Sequence, residues 1–306
     1  MKKMLATILL VLIVALVVNA QAVELDSTFV STQKWLNEQK LVLTGGSNHS
    51  RDDTAAFSQE ALLFYGEAVG NPVHQNPAQR GMMAKRAAVV VAQRALVEYL
   101  EGFTLSSSTT VKDFIAQEDK IVSVVSGTAR GAQVVFQEYN KDTDTAVAVI
   151  KLDMHGPKGF ASSLYEKINS SPKLKEALKT DKQPFKAETA KLDEAYDGLI
   201  IDATAQKFRP ALINRIFAAK GDVLYDPATI SQKVLVEQGC GEYTNSIDKA
   251  KAALATRGVK KPLVIKASGT ISATDLQVTD NDAVTIYSAN QKGSFMAAAK
   301  VAFVLK

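Results

Sequence analysis

Few residues in this chain have both the chemistry and the spacing to act together. The single cysteine, Cys240, stands between Gly239 and Gly241. A thiol becomes a nucleophile when a neighbouring base or cation lowers its pKa, and no histidine is close to Cys240 in sequence. It reads as a small residue in a turn or at a strand end, with an intermolecular disulfide or a reactive thiol as the sharper readings. The three histidines, His49, His74 and His155, are scattered. There is no H-E-x-x-H and no Cys/His cluster, which argues against zinc, and each histidine is expected at the surface or in a loop. Asp197 and Asp202 flank the apolar run Gly198 to Ile201. Their odd offset sends the two side chains to opposite faces of a regular strand, so they do not form a carboxylate pair for acid–base work. At the strand end, Asp202 is placed to bind a cation or to cap the next segment. Asp142, Asp144, Asp280 and Asp282 have turn surroundings, and Asp280-Asn281-Asp282 lacks the spacing and distal glutamate of a calcium loop. No G-x-S-x-G accompanies the serines. Gly45-Gly46 belongs to no phosphate-binding fingerprint. No catalytic, cofactor-binding or metal-binding residue is assigned.

The elements that must position these residues fall into two groups. Val30 to Leu43 reads as a helix carrying Trp35, Leu36 and Leu41, followed by a loop over Thr44 to Ser50. Leu62 to Val69 has strand composition. Pro77 to Leu100 has the strongest helical pattern, with Ala84, Ala88, Val91, Ala95 and Tyr99 as one apolar stripe and Gly102 at the C-terminus. Its Arg80, Lys85, Arg86, Arg94 and Glu98 read as a solvated face. Thr109 to Val125 reads as one helix or as a helix followed by a strand. Ala132 to Tyr139 and Thr145 to Met154 read as strands joined by the turn Asn140 to Asp144. The alternating tail of the second strand predicts one buried and one wet face.

Gly156 to Ala190 holds Pro157, Pro172 and Pro184 and many lysines, and is expected to be a linker with short helices near 160–168 and 174–178. Beyond it, Tyr196 to Ala203, Ala211 to Phe217, Val223 to Tyr225, Leu263 to Ala267, Ile271 to Val278 and Ala298 to Leu305 are predicted strands or extended segments. Ile247 to Arg257 and Asp282 to Asn290 are predicted helices. No internal repeat relates the two groups.

The chain opens with Lys2 and Lys3, an apolar run from Leu5 to Val18 broken by Thr7, and the small residues Ala20 and Ala22. This is the layout of a cleaved secretory signal peptide. The run is shorter than the roughly 20 apolar residues of a spanning helix, which argues against an uncleaved anchor, and no lipobox cysteine is present. Cleavage after Ala22 removes two lysines and no acid, so the formal net charge falls from +4 to +2. Such a product has no electrostatic case for nucleic acid. Aromatic residues, 7% of the chain, are too sparse to suggest a base- or sugar-stacking surface. One cysteine excludes an intramolecular disulfide, so an ordinary core must hold the fold.

Tyr65-Gly66-Glu67-Ala68, the helix segments Ala84 to Ala88 and Ala92 to Leu96, Leu100-Glu101-Gly102, Val122 to Gly127, Arg130 to Val135 and Ala146 to Met154 together form a pattern. It resembles the Lpp-twenty outer-membrane lipoprotein family and the N-terminal domain of flagellar assembly protein T, over about residues 60–156. The resemblance implies a small α/β domain of bacterial envelope proteins, some tied to flagellar rings, without catalysis. The chain departs from the lipoprotein members in lacking the lipobox cysteine, which puts outer-membrane anchoring in doubt. Residues after 193 carry no such resemblance.

The expectation is therefore an α+β protein. A signal peptide (1–22) precedes an Lpp-twenty-like domain (23–156), a linker (157–192) and a second α/β domain (193–306), each domain with helices on one face of a mixed or antiparallel sheet. The expected role is non-enzymatic and cofactor-free, in the periplasm or outside the cell. It would work through other envelope proteins or self-association, and be peripheral at most to the outer membrane. A periplasmic module binding a small molecule or glycan between the domains is the alternative, and a hydrolase with no identifiable nucleophile is the third reading.

Overall fold

The computed structural model describes residues 27–116 and 118–306. The expected signal peptide, Met1 to Ala22, lies outside them. The class is α+β. Among the described residues no helix is long and apolar enough to cross a membrane.

The first sheet is mixed, in the order β1 (Gly45–Gly46), β2 (Ala61–Val69), β6 (Thr145–Asp153), β5 (Gln133–Asn140). β2 and β6 pair antiparallel along their whole length, from Ala61 opposite Asp153 to Val69 opposite Thr145. The β5–β6 turn is built by Asn140, whose Oδ1 accepts the N–H of Asp142 at 2.8 Å. Asp144 closes it with a positive φ of 54°, a conformation that aspartate tolerates better than bulkier residues.

Across one face lies α3 (Pro77–Glu101), started by Asn76, whose side chain accepts from the N–H groups of Ala78 and Gln79, and ended at Gly102. Its buried stripe is Gly81, Ala84, Ala88, Ala92, Leu96 and Tyr99. This corrects the expected stripe at two places: Val91 and Ala95 are only half-buried. A run of four-residue steps drifts slowly around a helix with 3.6 residues per turn, so a stripe switching to 91 and 95 leaves the contact line. The small side chains let the helix touch the sheet backbone. A Cβ on Gly66 would lie 2.1 Å from the Ala88 carbonyl oxygen and 2.5 Å from the Ala92 nitrogen.

The opposite face is covered as well. α1 (Ser27–Gln39) sets Leu36 against Leu63, Tyr65, Val147 and Val149, and stacks Trp35 on Phe136 with ring centroids 5.3 Å apart. β6 is therefore buried on both sides over most of its length, and only its end, Lys151 to Asp153, shows the alternation expected of a half-wet strand. α2 (Asp53–Ser58), capped by Asp52, closes the sheet's lower end.

The region from 104 to 130 differs from the expected helix or helix-then-strand. A short hairpin, β3 (Thr104–Ser106) and β4 (Thr109–Thr110), leads into α4 (Val111–Ile115) and α5 (Asp119–Arg130). Ile121, Val124, Val125 and Ala129 form the buried face of α5, and Val122 points to solvent. Their spacing of three and four is helical, which is why the apolar run did not become a strand.

The first half of the segment expected to link two domains is part of the core, and carries the two short helices expected there. α6 (Phe160–Ser170) buries Phe160, Ala161, Leu164, Tyr165 and Ile168, and α7 (Pro172–Ala177) adds Leu174. Beyond an extended stretch stands a parallel sheet ordered β10 (Glu242–Thr244), β14 (Val301–Val304), β7 (Gly198–Asp202), β11 (Pro262–Lys266). α9 (Ile247–Thr256) covers its outer face with Ala250 and Leu254. A third sheet, mixed, runs β12 (Gly269–Ser272), β13 (Asp275–Val278), β8 (Arg215–Ala218), β9 (Val223–Tyr225), beside α10 (Asp280–Gly293). Ile271 to Val278, expected as one strand, is thus two strands folded at Ala273-Thr274. α8 (Gln232–Gln238) completes the α-helices among the described residues. One hydrophobic core joins the inner faces of all three sheets.

The contact between Gly66 and α3 generates a test. Gly66→Ala places a methyl where the helix backbone already stands, and overpacking of this kind costs about 1–3 kcal/mol. Urea unfolding should show a midpoint shift of that size with an unchanged slope, while Gly127→Ala, which meets nothing within 4 Å, should be neutral or stabilising.

Candidate functional site

Two residues singled out in the sequence, His155 and Cys240, meet at the junction of the two halves. His155 follows β6 and Cys240 precedes β10; both line a cavity of about 10 Å³ together with Phe57, Glu60, Tyr165 and Tyr243. A Cβ on Gly239 would sit 2.7 Å from His155 Cε1, so the glycine admits the imidazole. Its φ of 69° is also one that glycine adopts freely, and it ends α8. His155 is thus in the loop between β6 and α6, one of the two expected settings, and is half-buried at the junction. Burial, and then the Arg257 charge, lower its pKa to about 4. Its Nδ1 has no hydrogen-bond partner among the described residues.

The polar groups around the cavity hold backbone. Arg257 donates from Nε to Glu242 at 2.5 Å, from Nη1 to the Ala299 carbonyl at 2.8 Å and from Nη2 to the Gln238 carbonyl at 2.6 Å. Tyr165 donates to the Leu212 carbonyl at 2.5 Å, Tyr225 to the Cys240 carbonyl, and Tyr243 to Asn214 Oδ1 at 2.5 Å. Burial raises all three phenol pKa values well above the ordinary range, so they remain donors. Glu60 is also raised, by burial first and then by Glu242, against the pull of Arg257. The Cys240 sulfur lies 3.4 Å from the Tyr243 hydroxyl, and the residue is 3% exposed. A cavity of this size holds about one water and admits no substrate, and a buried thiol is chemically inert. The junction is a polar lattice inside a core, and Cys240 is the small residue in a turn.

The carboxylates act locally. Asp197 and Asp202 sit at opposite ends of β7, about 16 Å apart at the usual strand rise. Asp197 accepts the N–H groups of Lys260 at 2.8 Å and Lys261 at 2.7 Å. Burial works to raise its pKa, but these bonds outweigh it and hold the carboxyl below the ordinary value. Asp202 accepts the hydroxyl and N–H of Thr204 at 2.6 and 3.0 Å, which lowers its pKa, and this is the capping role. Asp144 accepts from Tyr139 and from Arg80, the latter at 3.4 Å, and ties the β5–β6 turn to α3. Asp142 stays in that turn. Asp280 and Asp282 are not in a turn but in the first turn of α10, where Thr279 accepts the Asp282 N–H at 3.1 Å. His49 lies between Phe29 and Tyr65, at centroid distances of 5.2 and 5.3 Å. The His74 carbonyl accepts from Arg80 at 3.1 Å in a loop. Among the described residues, no three His, Cys, Asp or Glu side chains gather as metal ligands.

The surface offers a different kind of site. α3 turns Met82 (58% exposed), Met83 and Val90 outward, and α5 turns Val122 outward. Between the helices runs an open groove of about 490 Å³ lined by Val90, Arg94, Val97, Glu101, Ala129 and Arg130. Val69 and Val73, in the segment leading to α3, are exposed too. Single exposed apolar residues are ordinary, and several of them on two neighbouring helices make a candidate for a contact surface. The sequence hides this group because Val122 sits within the apolar stretch Ile121 to Val125 and the α3 pattern marks only the inward stripe. The Met82, Met83 and Val90 positions, seven and eight apart, were the available signal.

His155 makes a testable contribution to stability. Its folded pKa lies below the unfolded value of about 6.5, so the unfolded chain binds the extra proton first and stability falls as pH drops from about 6.5 to about 4. Thermal melts of the wild type and His155→Gln at pH 7 and pH 4.5 should show the variant gaining on the wild type at the lower pH, by about 2 kcal/mol. An equal offset at both pH values would contradict the assignment.

A sequence model described as Treponema pallidum Tp0624, second domain, matches residues 198–306. That span holds the parallel sheet, the whole third sheet and α8 to α10. No curated protein matches the chain.

Proposed function

We propose that the chain is a non-enzymatic, exported envelope protein that works by protein–protein contact through the outer face of α3 and α5. It would act in the periplasm or outside the cell after removal of Met1 to Ala22, within a flagellar or other envelope assembly, peripheral at most to the outer membrane. The observation that carries this reading is the exposed apolar group Met82, Met83, Val90 and Val122 on α3 and α5, with Val90 lining the groove between the two helices. The side chains that could do chemistry are spent on caps, turns and the junction lattice. The resemblance of residues 60–156 to the Lpp-twenty family and the flagellar assembly protein T N-terminal domain supports the same reading. The mixed charges lining the groove, Arg94 and Arg130 with Glu98 and Glu101, suit a protein partner or a second copy better than a nucleic acid, whose binding needs one-signed positive charge.

Cross-linking in the native envelope, followed by purification of the chain, tests this. The wild type should carry a reproducible adduct, with another envelope protein or with itself. The variant Met82→Glu/Val90→Glu/Val122→Glu should lose it by at least about tenfold, the scale of an interface hot-spot loss, at an unchanged melting temperature because all three side chains are exposed. An adduct that survives the triple substitution moves the contact elsewhere. A chain that yields no adduct removes the reading.

A further inference from the structure

We propose that a second site binds a small amphipathic carboxylate, an apolar tail ending in one carboxylate group. The site is a cavity of about 230 Å³ walled by α6, α7, the 3-10 turn Pro227–Thr229 and α8. Its floor is apolar: Ile168, Leu178, Ile213 and Leu235 are buried, and Pro227 closes one side. The one phenol in the floor, Tyr165, already donates to the Leu212 carbonyl at 2.5 Å, so the interior has little to offer a sugar, whose hydroxyls would be buried without partners. The polar groups gather at the rim as Asn169, Lys175 and Lys179. Lys179 is paired with Glu176 at 2.5 Å. Lys175 has no ion-pair partner among the described residues and is exposed, so it is the cation free to meet a carboxylate. The surrounding segment, residues 172–186, has five lysines against two carboxylates, which favours an anion over a cation at this mouth. An apolar body with a few convergent polar groups is the usual form of a small-ligand site.

The walls are held as a built pocket. Arg215 is 5% exposed. Its Nη2 donates to the Leu178 carbonyl at the end of α7, and its Nε to Asp226 at 3.0 Å. Asp226 in turn accepts the Ala228 N–H at 3.0 Å and starts the 3-10 turn. One guanidinium thus fixes two facing walls, and a bidentate or branched arginine contact of this kind sets geometry as well as energy. The size of the space selects the tail. A cavity of about 150 Å³ holds benzene, so the larger space here takes a tail of about six to ten carbons.

Octanoate is the probe, titrated by calorimetry into the full chain without Met1 to Ala22. Binding is expected with a Kd on the order of 0.1 mM or tighter, given the ligand's size. Octanol and octylamine should bind at least about tenfold more weakly, and Lys175→Glu should weaken octanoate by a similar factor, the worth of a charge-assisted contact. Lys175 is exposed, so its variant keeps the wild-type melting temperature, and Leu235→Trp, which fills the floor, serves as a second block. No binding at millimolar octanoate, equal binding of octanol or octylamine, or an unchanged affinity in Lys175→Glu would each overturn the proposal. None of these residues lies on the α3–α5 face, so its failure and the failure of the contact reading are separate results.

Discussion

An unbroken chain of aromatic contacts joins the two halves of the molecule, and the rest of the architecture is arranged around it. Phe64 on β2 meets Tyr99 on α3 at 5.3 Å, Tyr99 meets Phe103, Phe103 stacks on Phe57 at 5.6 Å, Phe57 meets Tyr243 at 5.0 Å, and Tyr243 stacks on Phe303 of β14 at 5.3 Å. Phe160 of α6 adds an edge onto Phe103 at 5.2 Å. Each such pair contributes about 0.5–1.5 kcal/mol beyond the area it buries. A sheet with its inner face against these rings cannot move independently of the other sheet. That is why α6, in a lysine- and proline-rich stretch, is buried: it fills the space the ladder leaves beneath the first sheet.

The polar lattice at the junction follows from the same constraint. Bringing two sheets and α6 to one place buries the ends of several strands, and their carbonyls need donors. Tyr165, Tyr225, Asn214 and Arg257 supply them, and Tyr243 donates to the Asn214 side chain. A chemist's eye drawn to Cys240, His155 and Glu60 in one cavity finds a buried thiol, two groups, His155 and Glu60, whose pKa values are moved by burial, and almost no free space. Perturbed titration accompanies structural networks as well as active sites. With the interior spent on holding itself together, what faces outward is the α3–α5 surface on one half and the pocket behind α6 and α7 on the other.

Much of the fold was legible in the residues. α3 was visible because its cap asparagine, its first-turn proline and its alanines agree on one element. The β5–β6 hairpin was visible because two apolar runs bracket Asn140 to Asp144. Small elements were not. β10 has three residues, and β3 and β4 together have five, too few to show a period. α2 and α8 are similarly short. α5 was ambiguous because Ile121, Val122 and Val125 suit a strand by type and a helix by spacing, and only a core placed against one side selects between them. The misplacement of Val91 and Ala95 on the α3 stripe has a similar origin, since the angle at which a helix meets a sheet decides which side of a broad apolar stripe is covered.

What the sequence by itself determined is local: where the long helix starts and stops, which turns bend, and which carboxylates are positioned to cap. Asp202 acts within two residues of itself, through the Thr204 hydroxyl and N–H, so short-range chemistry suffices to place it. The tertiary structure alone decided everything that depends on distant partners. It made α6 and α7, in residues 160–178, part of the core, since α6 becomes buried only when Phe103 and Leu212 arrive from other segments. It brought His155 to Gly239, because a glycine leaves room for a ring across the fold and carries no sequence mark of which ring that will be. It left Met82, Val90 and Val122 exposed, since an apolar side chain looks the same in sequence whether or not another surface covers it.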